Sequence, residues 1–488
     1  MKSIILALML TLSFSVFSKG KKKKVSRKVK TFYSLAKQQY KKKNYNLSLY
    51  YVLSHFKKHP KEIDASKIKV ANILLAKTGS LPLYFYDPKF LEGLKVPTVQ
   101  IHLANHYFKK KQYDKALKFA GEIKEGHNLY PESQFLMGSA KQLLGWTDYP
   151  ENYKNCMDSA KSKVGSVKSQ KFARYYISIQ ESCLANMARD LYVKKDYEKS
   201  NELYLEVDKR SYSWPYILLE RAWNYYKTRD YNRTLGTLMT YQSPLLESYF
   251  FPEAEVLQAL SYYSLCLYKD SATLIDKFFK VYKPRAKVLR NFLVKNKNNE
   301  NLFFNLVAKP KDQINNHEYI LSLRNQLKKK IRMNLHLYSY KNAQRELENI
   351  MKSGNARDIK FAKYTVKKMK SIINLHVKEY YYYFVNQINF FAYEMFNLKL
   401  EIISRRKDLL YENRKLVSKR ARGSYGNLQQ KESEFFYTFN GAFWADELGD
   451  YSFGLKSNCK AIKQKVIDDP LFNEAGKEVK KLKKGKKK

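Results

Sequence analysis

The sequence predicts an all-α protein, and three observations carry that reading. Breakers are scarce, with 17 Gly and 12 Pro in 488 residues, whereas Tyr (41), Leu and Lys abound. Few breakers and many large side chains favour long helices with short connections. The Gly-rich tight turns of stacked β-hairpins are missing. Small and aromatic residues recur instead at a spacing of 34 residues, a length that suits one helical hairpin. Since 44% of the chain is apolar and 15% aromatic, an intrinsically disordered polymer is excluded.

At the N-terminus, Met1 and Lys2 precede an apolar run from Ser3 to Phe17 that is too short to span a bilayer. This predicts a secretory signal peptide over 1–18, with Val16-Phe17-Ser18 read by the peptidase and Lys19 opening a periplasmic or secreted chain. The lysines of a basic tail at 19–28 oppose that reading, because cationic flanks resist export. A second basic tail occupies 471–488. The net charge is +47, and the tails are expected to meet polyanions such as nucleic acid, anionic lipid or cell-wall polymer. Cys156, Cys183, Cys266 and Cys459 show no C-x-x-C spacing. Two readings stand: a Cys156–Cys183 disulfide in an oxidising space, or four separate buried thiols.

The repeat is read from residue 29 to 285. Ala188 is followed by Tyr192, Asp196-Tyr197 and Ser200, and Ala222 by Tyr226, Asp230-Tyr231 and Thr234, 34 residues later. Upstream, Ala36 leads to Tyr40, Asn44-Tyr45 and Ser48, and Ala104 to Phe108, Gln112-Tyr113 and Ala116. Val70 and Gly138 hold intermediate frames, and Ala259 opens a looser copy with Tyr263, Tyr268 and Ser271. About seven units result, with an irregular second half after Val70 and an insertion expected at Trp146 to Glu151. Small residues let paired helices approach, and the aromatic four residues later fills the gap.

This segment resembles the tetratricopeptide-repeat (TPR) family. The resemblance implies a right-handed superhelical solenoid whose first helices line a groove for partner peptides. Carried onto this chain, the groove positions are Tyr33, Lys37, Tyr40 and Lys41, then Ile101, Asn105, Phe108 and Lys109. The two best units add Ala185, Arg189, Tyr192, Tyr216, Trp223, Tyr226 and Lys227. Such a surface suits acidic or aromatic-containing segments of other proteins.

Residues 286–430 are expected to form a long-helix region. Ile320, Leu323, Leu327 and Ile331 make one stripe, and no Gly or Pro interrupts Asn355 to Arg422. Apolar residues recur there at Ala362, Val366, Met369, Ile373, Val377, Tyr380, Phe384, Ile388, Phe391, Met395, Ile402, Leu409 and Leu416. That seam predicts packing on the chain's own helices or, alternatively, coiled-coil self-association through 355–422. The segment 431–470 reads as an aromatic and acidic plug capping the stack. Its Phe443-Trp444-Ala445-Asp446-Glu447-Leu448-Gly449 core, with Ser213-Trp214-Pro215-Tyr216 and Phe251-Pro252-Glu253-Ala254, is similar to periplasmic TPR proteins of predatory and gliding deltaproteobacteria. Those include proteins linked to adventurous gliding motility. The likeness implies a scaffold in an envelope-spanning machine.

Phosphate loops, dinucleotide fingerprints and nucleophile elbows are missing from the sequence. His55 and His59, like His102 and His106, stand four apart without a third metal ligand. A non-enzymatic scaffold needing no cofactor is the expected role, with a basic polyanion-binding protein as the alternative.

Overall fold

The computed structural model describes residues 22–246, 249–299, 301–412, 423–428, 430, 432 and 434–459. Among them are eighteen α-helices and no strand, so the described chain is all-α and built largely of paired helices. The apolar start at 1–18, the run 471–488 and Leu416 lie outside the described residues. The chain divides into two compact units, one of residues 1–123 with 335–370 and one of 124–334 with 371–488.

In the first unit, α1 (Lys22–Lys41) pairs with α2 (Tyr45–Lys58). Lys22 to Lys28 are thus helical, where the sequence suggested a tail; residues favourable to helix simply extend the first turns. α3 (Ala65–Thr78) is followed by a 3-10 turn at Leu81–Phe85 and the short α4 (Pro88–Glu92). Gly79, Pro82 and Pro88 shorten what would be a second helix. α5 (Pro97–Lys109) and α6 (Tyr113–Gly121) form the next hairpin.

In the second unit, α7 (Tyr130–Leu144) pairs with α8 (Tyr149–Ser166), and α9 (Gln170–Val193) with α10 (Tyr197–Leu205). The hairpins of α11 (Trp214–Lys227) with α12 (Tyr231–Met239) and α13 (Pro252–Ser264) with α14 (Tyr268–Lys295) follow. The frame slip after Gly138 is not a loop at Trp146 to Glu151. α8 opens at Tyr149, and the added residues lengthen α8 and α9 to 18 and 24 residues. Pro284 does not end the repeat region either. It sits inside α14, which continues to Lys295, at the cost of one backbone hydrogen bond.

Five of the repeat turns are built alike. Lys43, Lys111, Lys195, Arg229 and Cys266 occupy the left-handed backbone region, and a tyrosine opens the next helix. The aromatic four residues after the small residue meets that tyrosine: Tyr40–Tyr45, Phe108–Tyr113, Tyr192–Tyr197, Tyr226–Tyr231 and Tyr263–Tyr268 ring centroids are 5.4 to 5.6 Å apart. A hydroxyl twelve residues on donates to the small residue's carbonyl, at 2.8 Å for Ser48 to Ala36, Ser200 to Ala188 and Ser271 to Ala259. Asp196 and Asp230 cap α10 and α12 by accepting from Lys199 N and Arg233 N.

Beyond the hairpins come α15 (Leu302–Ala308), α16 (Glu318–Lys329), α17 (Ile331–Ser353) and α18 (Ala356–Tyr411). The stripe Ile320, Leu323, Leu327, Ile331 is broken, because Lys330 is extended between α16 and α17. In the first unit, Glu346 of α17 receives Asn46 N, Asn46 Nδ2 and Leu47 N, all at 2.8 Å. It thereby caps α2, whose own Asn44 makes no capping bond. Asp358 of α18 accepts from the Tyr51 hydroxyl at 2.6 Å and Gln39 at 3.1 Å.

Most of the α18 seam is buried against the chain's own helices, including Met369, Ile373, Val377, Phe384, Ile388, Met395, Ile402 and Leu409. The chain's own helices therefore occupy that seam, as the first of the two sequence readings has it. Tyr381, not Tyr380, takes the buried place, its hydroxyl donating to the Ile320 carbonyl at 2.8 Å.

The segment 434–459 is not a plug on the end of the stack. It is an extended strap across the hairpins of the second unit. Leu448 enters the core of α9, α10 and α11 beside Ala188, Tyr204 and Leu218. Asp450 pairs with Lys209 at 2.7 Å and Arg221 at 3.7 Å, while Asp446 and Glu447 stay exposed. Phe453 N donates to Asn232 O, Leu455 N to Asn232 Oδ1 and Asn458 N to Leu265 O. A Cys266–Cys459 disulfide ties the strap to the turn before α14, and Cys156–Cys183 joins α8 to α9. The physical reason is that unpaired extended backbone needs hydrogen-bond partners, and Asn232 supplies them.

Candidate functional site

The groove positions divide by what already engages them. Tyr40, Phe108, Tyr192 and Tyr226 are hairpin-closing rings, as above. Lys37 lies over Tyr33 at 5.2 Å in the first unit, and Lys41 and Lys109 are exposed. Asn105 donates to the Ile101 carbonyl at 3.0 Å, and Ile101 is buried. The Trp223 indole donates to Glu253 at 2.9 Å, and Lys227 is exposed.

Three positions meet in one place. Ala185 and Arg189 of α9 and Tyr216 of α11 line a cleft of about 330 Å³ in the second unit. Tyr249, Gln326, Lys329 and Lys330 complete it from outside the 34-residue frame. Tyr212, Phe135 and Ile217 add apolar wall, and Glu181 lies at its margin.

Positive charge dominates the cleft. The Arg189 guanidinium is committed to Glu220 by two bonds, Nε at 2.8 Å and Nη2 at 2.6 Å. Glu220 also accepts from the Tyr204 hydroxyl at 2.6 Å. Lys330 is different. Its Nζ stands 4.5 Å from the Tyr380 ring and 5.9 Å from the Tyr216 ring, and among the described residues it forms no ion pair. Burial pushes its ammonium below the ordinary lysine value, as it does for Lys329, which lies 4.0 Å over Tyr249. Burial raises the Glu181 carboxyl, which accepts from the Ser211 hydroxyl at 2.6 Å. Desolvation, with Tyr249 and Tyr383 adding to it, pushes the Tyr216 phenol up to about 12.

Lys330 is an exposed residue, yet its ammonium stands against two tyrosine rings and is open to an anion. The cleft can therefore hold a carboxylate with an aromatic or aliphatic neighbour. Among the described residues no group of three His, Cys, Asp or Glu is placed to hold a metal ion. No described helix is long and apolar enough to cross a membrane.

Sequence reasoning missed Lys329 and Lys330 because they belong to no repeat. The only signal was a lysine run directly before Ile331.

No family model matches the sequence, and no curated protein matches it. Among solved structures, the chain aligns with the P58(IPK) TPR domain at 11% identity, covering 80% of this chain and 99% of that one, with a TM-score of 0.19. A circular tandem repeat protein with novel repeat topology aligns at 10% identity over 80% and 91%, with a TM-score of 0.11. Scores this low do not bear on the fold, which rests on the paired helices themselves.

Proposed function

We propose that this protein is a non-enzymatic scaffold that captures acidic, aromatic-containing segments of other proteins in the α9–α11–α16 cleft. The observation that carries it is Lys330, an exposed lysine whose ammonium faces two tyrosine rings and has no carboxylate partner among the described residues. A bound carboxylate supplies the missing charge, and the rings take the adjacent side chain. Fluorescence anisotropy with labelled Glu/Asp- and Tyr/Phe-containing peptides tests it. Lys330→Ala is expected to weaken binding about tenfold or more, the worth of one charge-assisted bond, and Tyr216→Ala to do likewise. Unchanged affinity in both variants overturns the cleft assignment.

The scaffold is read as an exported envelope protein, cleaved after Ser18 and serving a gliding-motility or other envelope-spanning complex. Two disulfides with no free cysteine among the described residues support an oxidising compartment, and the Phe443–Gly449 likeness supports the envelope setting. Fractionation with N-terminal sequencing checks it: Lys19 at the start of a periplasmic chain is expected, and Met1 intact in cytosol refutes it. The net charge of +47 favours a second reading, polyanion binding through the lysine-rich ends. Salt-sensitive retention on a polyanion resin that survives deletion of both ends, together with no peptide binding, decides for a polyanion surface on the body.

A further inference from the structure

The outward face of α18 in the second unit is apolar where an ordinary solenoid helix is polar. Directly opposite the buried seam, Tyr393, Phe396, Leu400, Ile403 and Leu410 are each between 49% and 63% exposed. Their spacing is 3, 4, 3 and 7 residues, the a/d pattern of a heptad seam, and the a position between Ile403 and Leu410 is Lys407. No described element covers this face.

We propose that this face is the two-fold interface of an antiparallel homodimer, α18 against α18 of a second copy. The pattern is self-complementary in that orientation. With the axis between Leu400 and Ile403, Leu400 meets Ile403 of the second copy and Tyr393 meets its Leu410. Phe396 meets Lys407 of the second copy, and the same contact repeats across the axis, giving two cation–π pairs. On one flank Phe390 faces Tyr411 of the second copy, both exposed, and Asn397 faces Ser404. On the other flank Lys399 would face Arg406, but Lys399 is already neutralised by Asp276 at 2.6 Å. A parallel pair instead sets Lys407 on Lys407 and wastes the ring of Phe396. That repulsion selects the antiparallel arrangement.

The area suffices. An aromatic side chain buries 150–250 Å² and a leucine or isoleucine somewhat less, so these half-exposed residues contribute about 100 Å² each. Phe390 and Tyr411 bring the set to about 700 Å² per copy, or about 1,400 Å² for the pair, above the ~1,000 Å² that a specific interface needs.

Sedimentation velocity of the full chain across a concentration series tests the dimer. Three charge variants test its register, with circular dichroism confirming that each keeps its helices. A concentration-dependent dimer is expected. Phe396→Lys places cations against Lys407 of the other copy and weakens it about 100-fold or more. Phe396→Glu keeps it, because glutamate pairs with that same Lys407, and Phe396→Glu with Lys407→Glu abolishes it again. A monomer at every concentration overturns the proposal, including one whose α18 face binds anionic vesicles instead. A dimer indifferent to all three variants places the interface elsewhere and also overturns it. Loss of the dimer in both single Phe396 variants refutes the antiparallel register.

Discussion

Replacing Gly236 by alanine should unseat the C-terminal strap, and the sign of the effect is diagnostic. Gly236 lies inside α12, where alanine normally stabilises a helix by about 1 kcal/mol. Here an added Cβ would stand 1.9 Å from the Tyr451 carbonyl oxygen, 2.2 Å from its carbon and 2.5 Å from Ser452 Cα. All three are backbone atoms, so no side chain can rotate away, and the strap must rise. Rising stretches the bonds of Phe453 N and Leu455 N to Asn232 at 3.0 and 2.9 Å and of Gly449 N to Thr240 Oγ1 at 2.9 Å. It also begins to expose Leu448 and Leu455, each worth about 1.5–3 kcal/mol when fully buried. Gly449 sits at φ +91° and packs on Leu218 and Trp214, so the strap cannot shift sideways without strain. Partial loss of these terms lowers the local opening free energy by about 2–4 kcal/mol. Amide exchange at Gly449, Phe453 and Leu455 should accelerate about 30- to 1,000-fold, while α11 and α12 keep their protection. Reducing the Cys266–Cys459 disulfide should enlarge the effect, because it frees the strap's tethered end. Exchange unchanged within about threefold, or a stabilised protein, would refute the close approach.

Three further outcomes follow from the same contacts. Glu346 is raised above its ordinary 4.5 because burial outweighs its three hydrogen bonds. Its favourable share is thus complete below pH 4.5 and lost as pH rises through the elevated value. Denaturant titrations across pH should show wild type gaining stability relative to Glu346→Gln on acidification; a pH-independent difference sinks the idea. Ser200→Ala removes the donor to Ala188 O and the acceptor of Asn224 Nδ2 at 2.9 Å. Urea midpoints should register a loss of about 1–3 kcal/mol, and a neutral result would mean that the repeat's hydroxyl is ornamental. Cys266→Ser opens a covalent loop of sequence separation 193, for which loop closure sets an upper bound of about 5 kcal/mol. Limited proteolysis should then cut the strap first; simultaneous cleavage throughout the second unit contradicts its separate anchoring.

The repeat was legible because a helical hairpin is a local object. Ala188, Tyr192, Asp196, Tyr197 and Ser200 touch one another within a dozen residues: the aspartate caps, the rings meet and the hydroxyl reaches back. Linear spacing therefore specifies their geometry, and Ala222 repeats it. The groove assignment was only partly legible. The same rings that close a hairpin look, in sequence, like groove residues, and only the fold separates Tyr192, packed on Tyr197 within its hairpin, from Tyr216, packed on Phe251 and Tyr249 at the cleft wall.

What tertiary structure alone decided is everything that joins distant segments. Glu346 caps a helix 300 residues away in sequence, Lys330 reaches the cleft because α16 stops one residue before it, and Cys459 finds Cys266. None of these pairings leaves a periodic trace, since each depends on where whole helices come to rest. The all-α class and the hairpin period follow from side-chain spacing along one chain segment. The cleft, the strap and the α18 face that no described element covers follow from where whole helices come to rest in the fold.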